Sequence, residues 1–286
     1  RFLRGHFNFE LQKIYGRPAY ISEENYAAIQ FNQPNTGPIW DKIEADLAYA
    51  KDNLPPTQAD KGRPTSWTAQ ALLGKAQLHQ GKWADALTNL KNVITSGPYS
   101  LLSEYGNNFR LAGDNSPESL FAIQYTADAG QSLNGNRGGT LNFGGPNDWC
   151  CGFYQPTQDL VNAFQTDASG LPLLDTFNQT DVKNDYGITS DQSFTPHTGT
   201  LDPRIDFTVG RRGIDFNGWG LMPGKKWIRA NFADISGPSM GKKHIYHAGD
   251  DANVGTGGWG QQHSGINYHI IRYADVLLMA AEAAIE

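Results

Sequence analysis

The sequence predicts a mostly α-helical fold, in which helical repeats are followed by a loop-rich, irregular insertion region containing a few short strands. Apolar residues recur at helical spacing over about the first third of the chain. Most of the 32 glycines follow Ser100, and the aromatic residues, 12% of the chain, include 7 tryptophans. We expect one domain over residues 1–286, built from a helical repeat part (1–100), a loop-rich part (101–265) and a buried repeat helix (266–286).

Residues 1–15 and 38–54 are each predicted to form an amphipathic helix. The apolar stripe of the first helix consists of Leu3, Phe7, Leu11 and Ile14. Phe2 and Phe9 lie off that stripe, so we expect this helix to contact neighbours on two sides. The apolar stripe of the second helix consists of Ile39, Ile43, Leu47, Ala50 and Leu54. This pattern predicts that one side of the second helix faces the core.

Residues 63–98 are predicted to form two helices joined by a tight turn. The apolar side of the first consists of Ala69, Leu72, Leu73 and Ala76, and that of the second of Trp83, Ala86, Leu87, Leu90, Val93 and Ile94. Gly74, Ala86 and Pro98 match the tetratricopeptide repeat, in which small residues let two helices approach closely. An arbitrary helical hairpin is the alternative, and the agreement of several positions in register favours the repeat.

The remainder of the chain contains few periodic segments. Residues 119–126 and 202–212 are predicted to be short strands, and residues 156–164 a short helix. The long aromatic and glycine-rich segment 213–265 is too long for a linker, and a long ordered insertion usually builds a binding surface.

The last segment, residues 268–286, carries apolar residues on nearly every side of a helix. This predicts a helix that is buried on most sides. The charged residues Arg272, Asp275 and Glu282 lie within it, so we expect each of them to have a partner.

The formal net charge of −6 is too mild to favour nucleic acid as a partner. No apolar run reaches the roughly 18 residues of a membrane span. The chain begins at Arg1 and ends inside a helical pattern, so we expect it to be a piece of a longer protein.

The two cysteines, Cys150 and Cys151, are adjacent. Neighbouring Cα atoms are about 3.8 Å apart, below the usual disulfide range, so a bond between them would be strained. We favour two free, partly buried thiols and leave a vicinal disulfide beside Trp149 as the alternative.

Several segments resemble the SusD/RagB family, and they occur in the family's order. The segments are RFLRGHFNFELQKIYGRPAY at the start, IWDKIEADLAYAKDNLP and GRPTSWTAQALLGKAQLHQGKW after it, PTQDLVNAFQTD and DPRIDFTVGRRG later, and RYADVLLMAAEA near the end. The last of these is similar to the hallmark helix of the family. Family members are substantially longer, so both ends of a member are expected to be absent here.

This resemblance implies a surface-exposed outer-membrane lipoprotein of the Bacteroidetes type. Members bind glycans, or sometimes peptides, and act as a lid on a SusC-like TonB-dependent transporter. The resemblance implies that the helical repeats pack against the transporter and that the loop-rich insertions hold the ligand. It further implies a non-catalytic protein without a cofactor, attached to the membrane through a lipid anchor that this chain does not contain.

Aromatic rings among the loops are candidates for stacking on the apolar faces of sugar rings, while polar side chains bind the hydroxyl groups. The aromatic candidates are Trp149, Tyr154, Trp219 and Trp259. The hydrogen-bonding candidates are Arg137, Asn147, Asp148 and Asn217. A tryptophan between glycines is poorly explained as helix core, although loop tryptophans often fill the interior of their own loop.

Signals of catalysis or metal binding are weak. Residues 237–241 match G-x-S-x-G and residues 255–260 match G-x-G-x-x-G, but neither match has the required strand before it and helix after it. His244 and His247, near Asp250 and Asp251, have a spacing that chance often produces, so we predict no metal site. Two alternatives remain: a glycoside hydrolase on a helical scaffold, which needs two facing carboxylates, and a helical-repeat adaptor for a protein partner.

Overall fold

The structure is a computed structural model of the whole chain. It describes residues 1–127, 145–146, 152–229, 237–243, 245, 247–250, 254–257 and 260–286, with only the backbone for 254–257 and 260–263. The chain divides into two compact units. Unit 1 comprises Arg1–Leu102, Asn115–Ile123 and His269–Glu286, and unit 2 comprises Ser103–Asp114 and Gln124–Tyr268.

The described residues are mostly helical with a few short strands, as predicted. The helices are α1 (Phe2–Tyr15), α2 (Glu23–Ala27), α3 (Trp40–Asn53), α4 (Ser66–Leu78), α5 (Trp83–Ser96), α6 (Gln158–Asn162), α7 (Ile205–Thr208), α8 (Lys225–Arg229) and α9 (Tyr273–Ile285). The strands are β1 (Ser119–Ile123), β2 (Val209–Gly210), β3 (Met240–Gly241), β4 (Val254–Gly257), β5 (Gly260–Ser264) and β6 (Tyr268–Arg272). They form three two-stranded sheets, which pair β1 with β6, β2 with β3 and β4 with β5. None of the described helices is long and apolar enough to span a membrane.

The predicted helical hairpin is present in unit 1 as α4 and α5. Thr65 caps α4, because its side chain accepts a hydrogen bond from the backbone N–H of Thr68. A Cβ atom on Gly74 would lie 2.8 Å from Cγ of Leu90 and 3.3 Å from the carbonyl oxygen of Ala86. The glycine therefore permits the close helix approach that the repeat pattern predicts, and the fold is confirmed as helical and repeat-like.

The side of helix α1 that faces the core is not the side formed by its predicted apolar stripe. Phe2 and Phe9 are buried, whereas the stripe is exposed, with Phe7 at 60% and Ile14 at 71%. The prediction of contacts on two sides is therefore wrong for the described residues. Gly5 explains the choice, since a Cβ atom there would lie 3.0 Å from Cγ of Leu47 on α3. Close approach of the two helices at Gly5 sets the buried side, and α3 buries its predicted stripe against it.

Helix α9 is buried on one side rather than on most sides. Val276, Met279, Ala280 and Ala283 are buried, and Leu278 and Ile285 are exposed. Two of the three charged residues have partners, as expected: Arg272 pairs with Glu118, and Asp275 accepts a hydrogen bond from the backbone N–H of Arg272. Glu282 is exposed, so it needs no partner.

The described residues of unit 2 form two small apolar clusters. One consists of Phe216, Met222, Ile228, Met240 and Ile245, and the other of Val161, Val182, Ile205 and Val209. The strand predicted over 202–212 is wrong for most of its length, because a helical turn, α7, precedes the two-residue strand β2. Strand β2 pairs antiparallel with β3, with Gly210 opposite Met240. This pairing joins the two strand segments that border the candidate site.

Candidate functional site

Trp219 lies at the tip of a tight turn in unit 2. The backbone N–H of Phe216 donates to the carbonyl of Gly220 at 2.9 Å, and that of Trp219 donates to the carbonyl of Phe216 at 3.0 Å. Asp215 closes the turn, because its side chain accepts a hydrogen bond of 2.9 Å from the N–H of Gly218. Gly218 and Gly220 have positive φ angles of 79° and 103°, which glycine adopts without steric cost. The Gly-Trp-Gly sequence thus builds a turn that presents one large aromatic side chain.

Asn217 holds this turn in place through its side-chain hydrogen bonds. Its φ of 52° is in the left-handed region, which asparagine tolerates better than most residues. The side-chain amide donates to the carbonyls of Lys242 at 3.2 Å and Ile245 at 3.0 Å. Since Asn217 is buried and both amide hydrogens are used within the fold, the structure gives it a positioning role, which differs from the ligand contact that the sequence predicts.

Trp219 is half-buried and packs against the cluster formed by Phe216 and its neighbours. The indole is therefore anchored on the core of unit 2, and the residue as a whole keeps part of its surface exposed. Trp227, on α8, packs against the same cluster. The apolar support explains how a loop can hold a tryptophan in a fixed position without a helix around it.

Tyr154 is an exposed aromatic residue on a second loop of unit 2. It is 66% exposed and has a positive φ of 56°. The following residue, Gln155, stabilises this loop: its amide donates to the carbonyl of Gly152 at 2.8 Å and accepts from the N–H of Gly237 at 2.6 Å. A bulky residue with positive φ is strained, so the loop holds Tyr154 outward against a local backbone cost.

The loops of Tyr154 and Trp219 both contact the segment 240–242. The carbonyl oxygen of Tyr154 lies 3.8 Å from the position that a Cβ atom on Gly241 would take. Asn217 donates to the carbonyl of the next residue, Lys242. The backbone of Tyr154 and the side chain of Asn217 thus lie against neighbouring residues of one short strand and its continuation.

A polar cluster lies beside the Trp219 turn. The backbone N–H of Ala248 donates to the carbonyl of Asn217 at 2.9 Å, which fixes the segment 247–250 against the turn. In that segment Asp250 accepts a hydrogen bond of 3.0 Å from Nη2 of Arg110. Burial, followed by the positive charge of Arg110, lowers the pKa of His247 from 6.5 to about 4, so this imidazole is neutral at neutral pH.

Sequence reasoning did not identify Arg110, and it considered Asp250 only as a possible metal ligand. The two residues are separated by 140 positions, and neither lies in a periodic segment or a motif. In the described part of the chain, no group of three or more histidine, cysteine, aspartate or glutamate side chains is arranged to hold a metal ion.

Several predicted site residues lie outside the described residues. They are Arg137, Asn147, Asp148, Trp149 and Trp259, together with the cysteine pair Cys150 and Cys151 and the histidine His244. Their predicted roles stay predictions. Of the eight predicted binding residues, the structure therefore places Tyr154, Asn217 and Trp219.

Unit 1 contains a separate open cleft of about 400 Å³. Its lining includes Tyr20, Gln33, Asp41, Lys42 and prolines 18, 34 and 38. The hydroxyl of Tyr20 donates to the buried carboxylate of Asp46 at 3.0 Å, so this hydroxyl is already used within the fold. Asp41 and Lys42 form an exposed ion pair. This cleft is the alternative location for a ligand within the described residues of unit 1.

Comparison with known proteins decides the family. The model described as the SusD family matches residues 117–286, more than half of the chain. The chain belongs to the SusD family. The matched range contains strands β2 and β3, the loops of Tyr154 and Trp219, and helix α9.

Relatives agree with this assignment. A SusD-like protein from Bacteroides ovatus is 29% identical over 141 residues, which cover 44% of this chain and 25% of that protein. SusD-like protein P2 from Formosa agariphila is 25% identical over 296 aligned positions, which cover 99% of this chain and 50% of that protein. The chain therefore spans half or less of the length of these relatives.

Solved structures show the same fold. A crystal structure determined with a xylogluco-oligosaccharide has a TM-score of 0.71 at 21% identity, over 99% of this chain and 52% of that one. A laminarin-binding SusD-like protein has a TM-score of 0.59 at 21% identity, over 99% of this chain and 58% of that one. At such identities the likeness concerns the fold alone.

Proposed function

We propose that the chain is the glycan-binding part of a cell-surface protein that captures oligosaccharides without cleaving them. Membership of the SusD family supports the proposal, as do a similar structure described with a xylogluco-oligosaccharide and another described as a laminarin-binding SusD-like protein. As in the family that the sequence resembles, the captured oligosaccharide passes to a SusC-like TonB-dependent transporter. The site of action is then the outer surface of the outer membrane.

The observation that carries the proposal is the turn that presents Trp219. Two glycines with positive φ and the buried Asn217 hold a half-buried indole on a rigid apolar support. Sugar rings carry apolar C–H faces, and an aromatic ring that is already fixed binds such a face with little further loss of conformational entropy. Tyr154, whose backbone lies beside Gly241, supplies the second ring.

The carboxylates next to the turn argue for binding rather than hydrolysis. A glycosidase needs a carboxylic acid with a raised pKa facing a second carboxylate across the ligand. One carboxylate oxygen of Asp215 accepts from the N–H of Gly218, and one of Asp250 accepts from Arg110, so each carboxylate has a role in holding the turn or its neighbouring segment. Burial raises the pKa of Asp185, but that residue is 1% exposed and lies beside the guanidinium of Arg212, so it does not face a ligand. We therefore propose a protein that needs neither a catalytic residue nor a cofactor.

Calorimetry with a panel of oligosaccharides tests this function. The panel contains xyloglucan and laminarin oligosaccharides, and the variants are Trp219→Ala, Tyr154→Ala and the control Tyr186→Ala. Tyr186 is also an exposed tyrosine of unit 2, at 70%, so it controls for the loss of an exposed ring. We expect about tenfold weaker binding for Trp219→Ala, a smaller loss for Tyr154→Ala and none for the control.

Two results would contradict the proposal. The first is binding that Trp219→Ala and Tyr154→Ala leave unchanged, since the rings would then take no part. The second is the release of reducing ends from the panel by the wild-type chain, which would make the protein a hydrolase.

A further inference from the structure

The proposed site has an aromatic side, but the polar residue that the sequence placed in this turn, Asn217, is buried and committed to backbone carbonyls. A sugar ring that stacks on Trp219 also requires donors and acceptors for its hydroxyl groups. The described residues next to the turn include one such group, the pair formed by Arg110 and Asp250. Nothing in the motifs of the sequence indicates this pair.

The backbone places Asp250 two residues from a contact with the turn that contains Trp219. Ala248 donates to the carbonyl of Asn217, and a Cβ atom on Gly218 would lie 3.5 Å from Cβ of Ala248. Two residues further on, the N–H of Asp250 donates to the carbonyl of His247 at 3.0 Å, so the segment 247–250 turns back on itself. Asp250 thus belongs to the segment 247–250, which contacts Asn217 and Gly218 immediately before Trp219. Arg110 is joined to that segment through its ion pair with Asp250.

The pair is joined by one hydrogen bond rather than two. Nη2 of Arg110 donates to Oδ1 of Asp250, whereas Nε of Arg110 and Oδ2 of Asp250 have no hydrogen-bond partner among the described residues. The side chain of Arg110 is 36% exposed and that of Asp250 18%. Because Nε and Oδ2 are themselves buried, the groups that the pair can offer to a ligand are the terminal N–H donors of the partly exposed guanidinium, and a hydroxyl oxygen accepts from such donors.

The charge of the pair favours a neutral ligand. Arg110 and Asp250 carry opposite charges and cancel each other, and the adjacent imidazole of His247 is neutral at neutral pH. An anionic ligand would gain the attraction of Arg110 but would also meet the repulsion of Asp250, which is paired with it.

We propose that Arg110, held in place by Asp250, is a ligand-binding residue that hydrogen-bonds the hydroxyl groups of a neutral oligosaccharide stacked on Trp219. This inference rests on the proposed function and adds the polar half of the site and the class of the ligand. Arginine suits the role because its planar fork offers five N–H donors, of which Asp250 uses one.

The test measures binding of xyloglucan and laminarin oligosaccharides to the full chain by calorimetry. The variants are Arg110→Ala, Arg110→Lys and Asp250→Asn, and Arg204→Ala is the control. Arg204 also forms a partly exposed ion pair in unit 2, with Asp202 two positions away, which makes it a matched surface arginine. We expect Arg110→Ala to weaken binding about tenfold or more, Arg110→Lys and Asp250→Asn to weaken it less, and Arg204→Ala to leave it unchanged.

The outcomes separate this inference from the proposed function. If Trp219→Ala weakens binding but both Arg110 variants bind normally, the role of Arg110 is wrong and the proposed function stands. If no oligosaccharide of the panel binds, or if Trp219→Ala has no effect, the proposed function fails and the role of Arg110 fails with it. Tighter binding of an oligogalacturonate than of the neutral sugars would overturn the neutral ligand class. Should Arg110→Ala fail to fold, Arg110→Lys and Asp250→Asn still decide the question.

Discussion

Arg272, at the end of β6, donates a hydrogen bond of 2.7 Å to the carboxylate of Glu118, which is 154 residues earlier in the chain and almost fully buried. Glu118 also accepts from the backbone N–H of Leu102 through its second carboxylate oxygen, at 2.8 Å. Its carbonyl accepts from the N–H of Tyr273. One glutamate thus joins the start of α9 to two distant segments of unit 1.

Replacing Glu118 by alanine is therefore expected to destabilise the protein strongly. The change leaves a partly buried guanidinium and a backbone N–H without this partner, and such losses cost about 3 kcal/mol. Urea denaturation followed by circular dichroism measures the free energy of unfolding. The double variant Glu118→Leu with Arg272→Met is expected to recover part of the loss, because it removes both charges. An unchanged free energy for Glu118→Ala would show that the pair contributes nothing.

The helical hairpin depends on the absence of a side chain at Gly74. In Gly74→Ala the new Cβ would lie 2.8 Å from Cγ of Leu90, so α4 and α5 have to move apart. We expect a loss of about 1–3 kcal/mol in the free energy of unfolding. Gly37→Ala is the control, since a Cβ atom there would have no neighbour within 4 Å. Equal effects of the two substitutions would contradict the close helix approach.

Asn217 is predicted to position Trp219 rather than to contact the ligand. Asn217→Gly keeps the positive φ but loses both side-chain hydrogen bonds, whereas Asn217→Ala loses the bonds and adds backbone strain. We expect both variants to increase the solvent exposure of Trp219, as measured by tryptophan fluorescence quenching, with the larger effect for alanine. Glycan affinity falls in the same order. A variant that loses affinity while the quenching stays unchanged would indicate direct contact with the sugar.

The neutral state of His247 produces a pH dependence of stability with a defined sign. Its pKa is about 4 in the folded chain and 6.5 when unperturbed, so between these values the unfolded chain binds a proton that the folded chain does not. Stability is therefore complete above pH 6.5 and decreases as the pH falls towards 4. His247→Gln is expected to remove part of this decrease in the melting temperature. An NMR titration of His247 with a midpoint near 6.5 would refute the assignment.

The helices of the repeat were predictable because their pattern is local. In α5 the residues at i, i+3, i+4 and i+7 face the core, and Ala86, Leu90 and Val93 are buried as the spacing predicts. In α1 the same rule selects the wrong side. The contact that decides there, between Gly5 and Leu47, involves residues 42 positions apart and a glycine, which a hydrophobicity pattern does not weigh.

For the candidate site, the residue types could be read from the sequence, but the surroundings that the fold gives each residue could not. A tryptophan between two glycines indicated an aromatic presented by a loop, and the structure places Trp219 in that way. Asn217 was expected to face a ligand, but its partners, the carbonyls of Lys242 and Ile245, are more than 20 residues away and invisible in one sequence. The pair of Arg110 and Asp250 was missed for the same reason, because only the fold brings these residues together.

A crystal structure of the full chain with the tightest-binding oligosaccharide of the panel would show where the ligand binds. We predict that a sugar ring lies against the indole of Trp219, with carbon atoms about 4 Å apart, and that its hydroxyl groups lie within hydrogen-bond distance of Arg110. An oligosaccharide bound in the cleft of unit 1 lined by Tyr20, Asp41 and Lys42, without contact to Trp219, would refute the proposed role of Trp219.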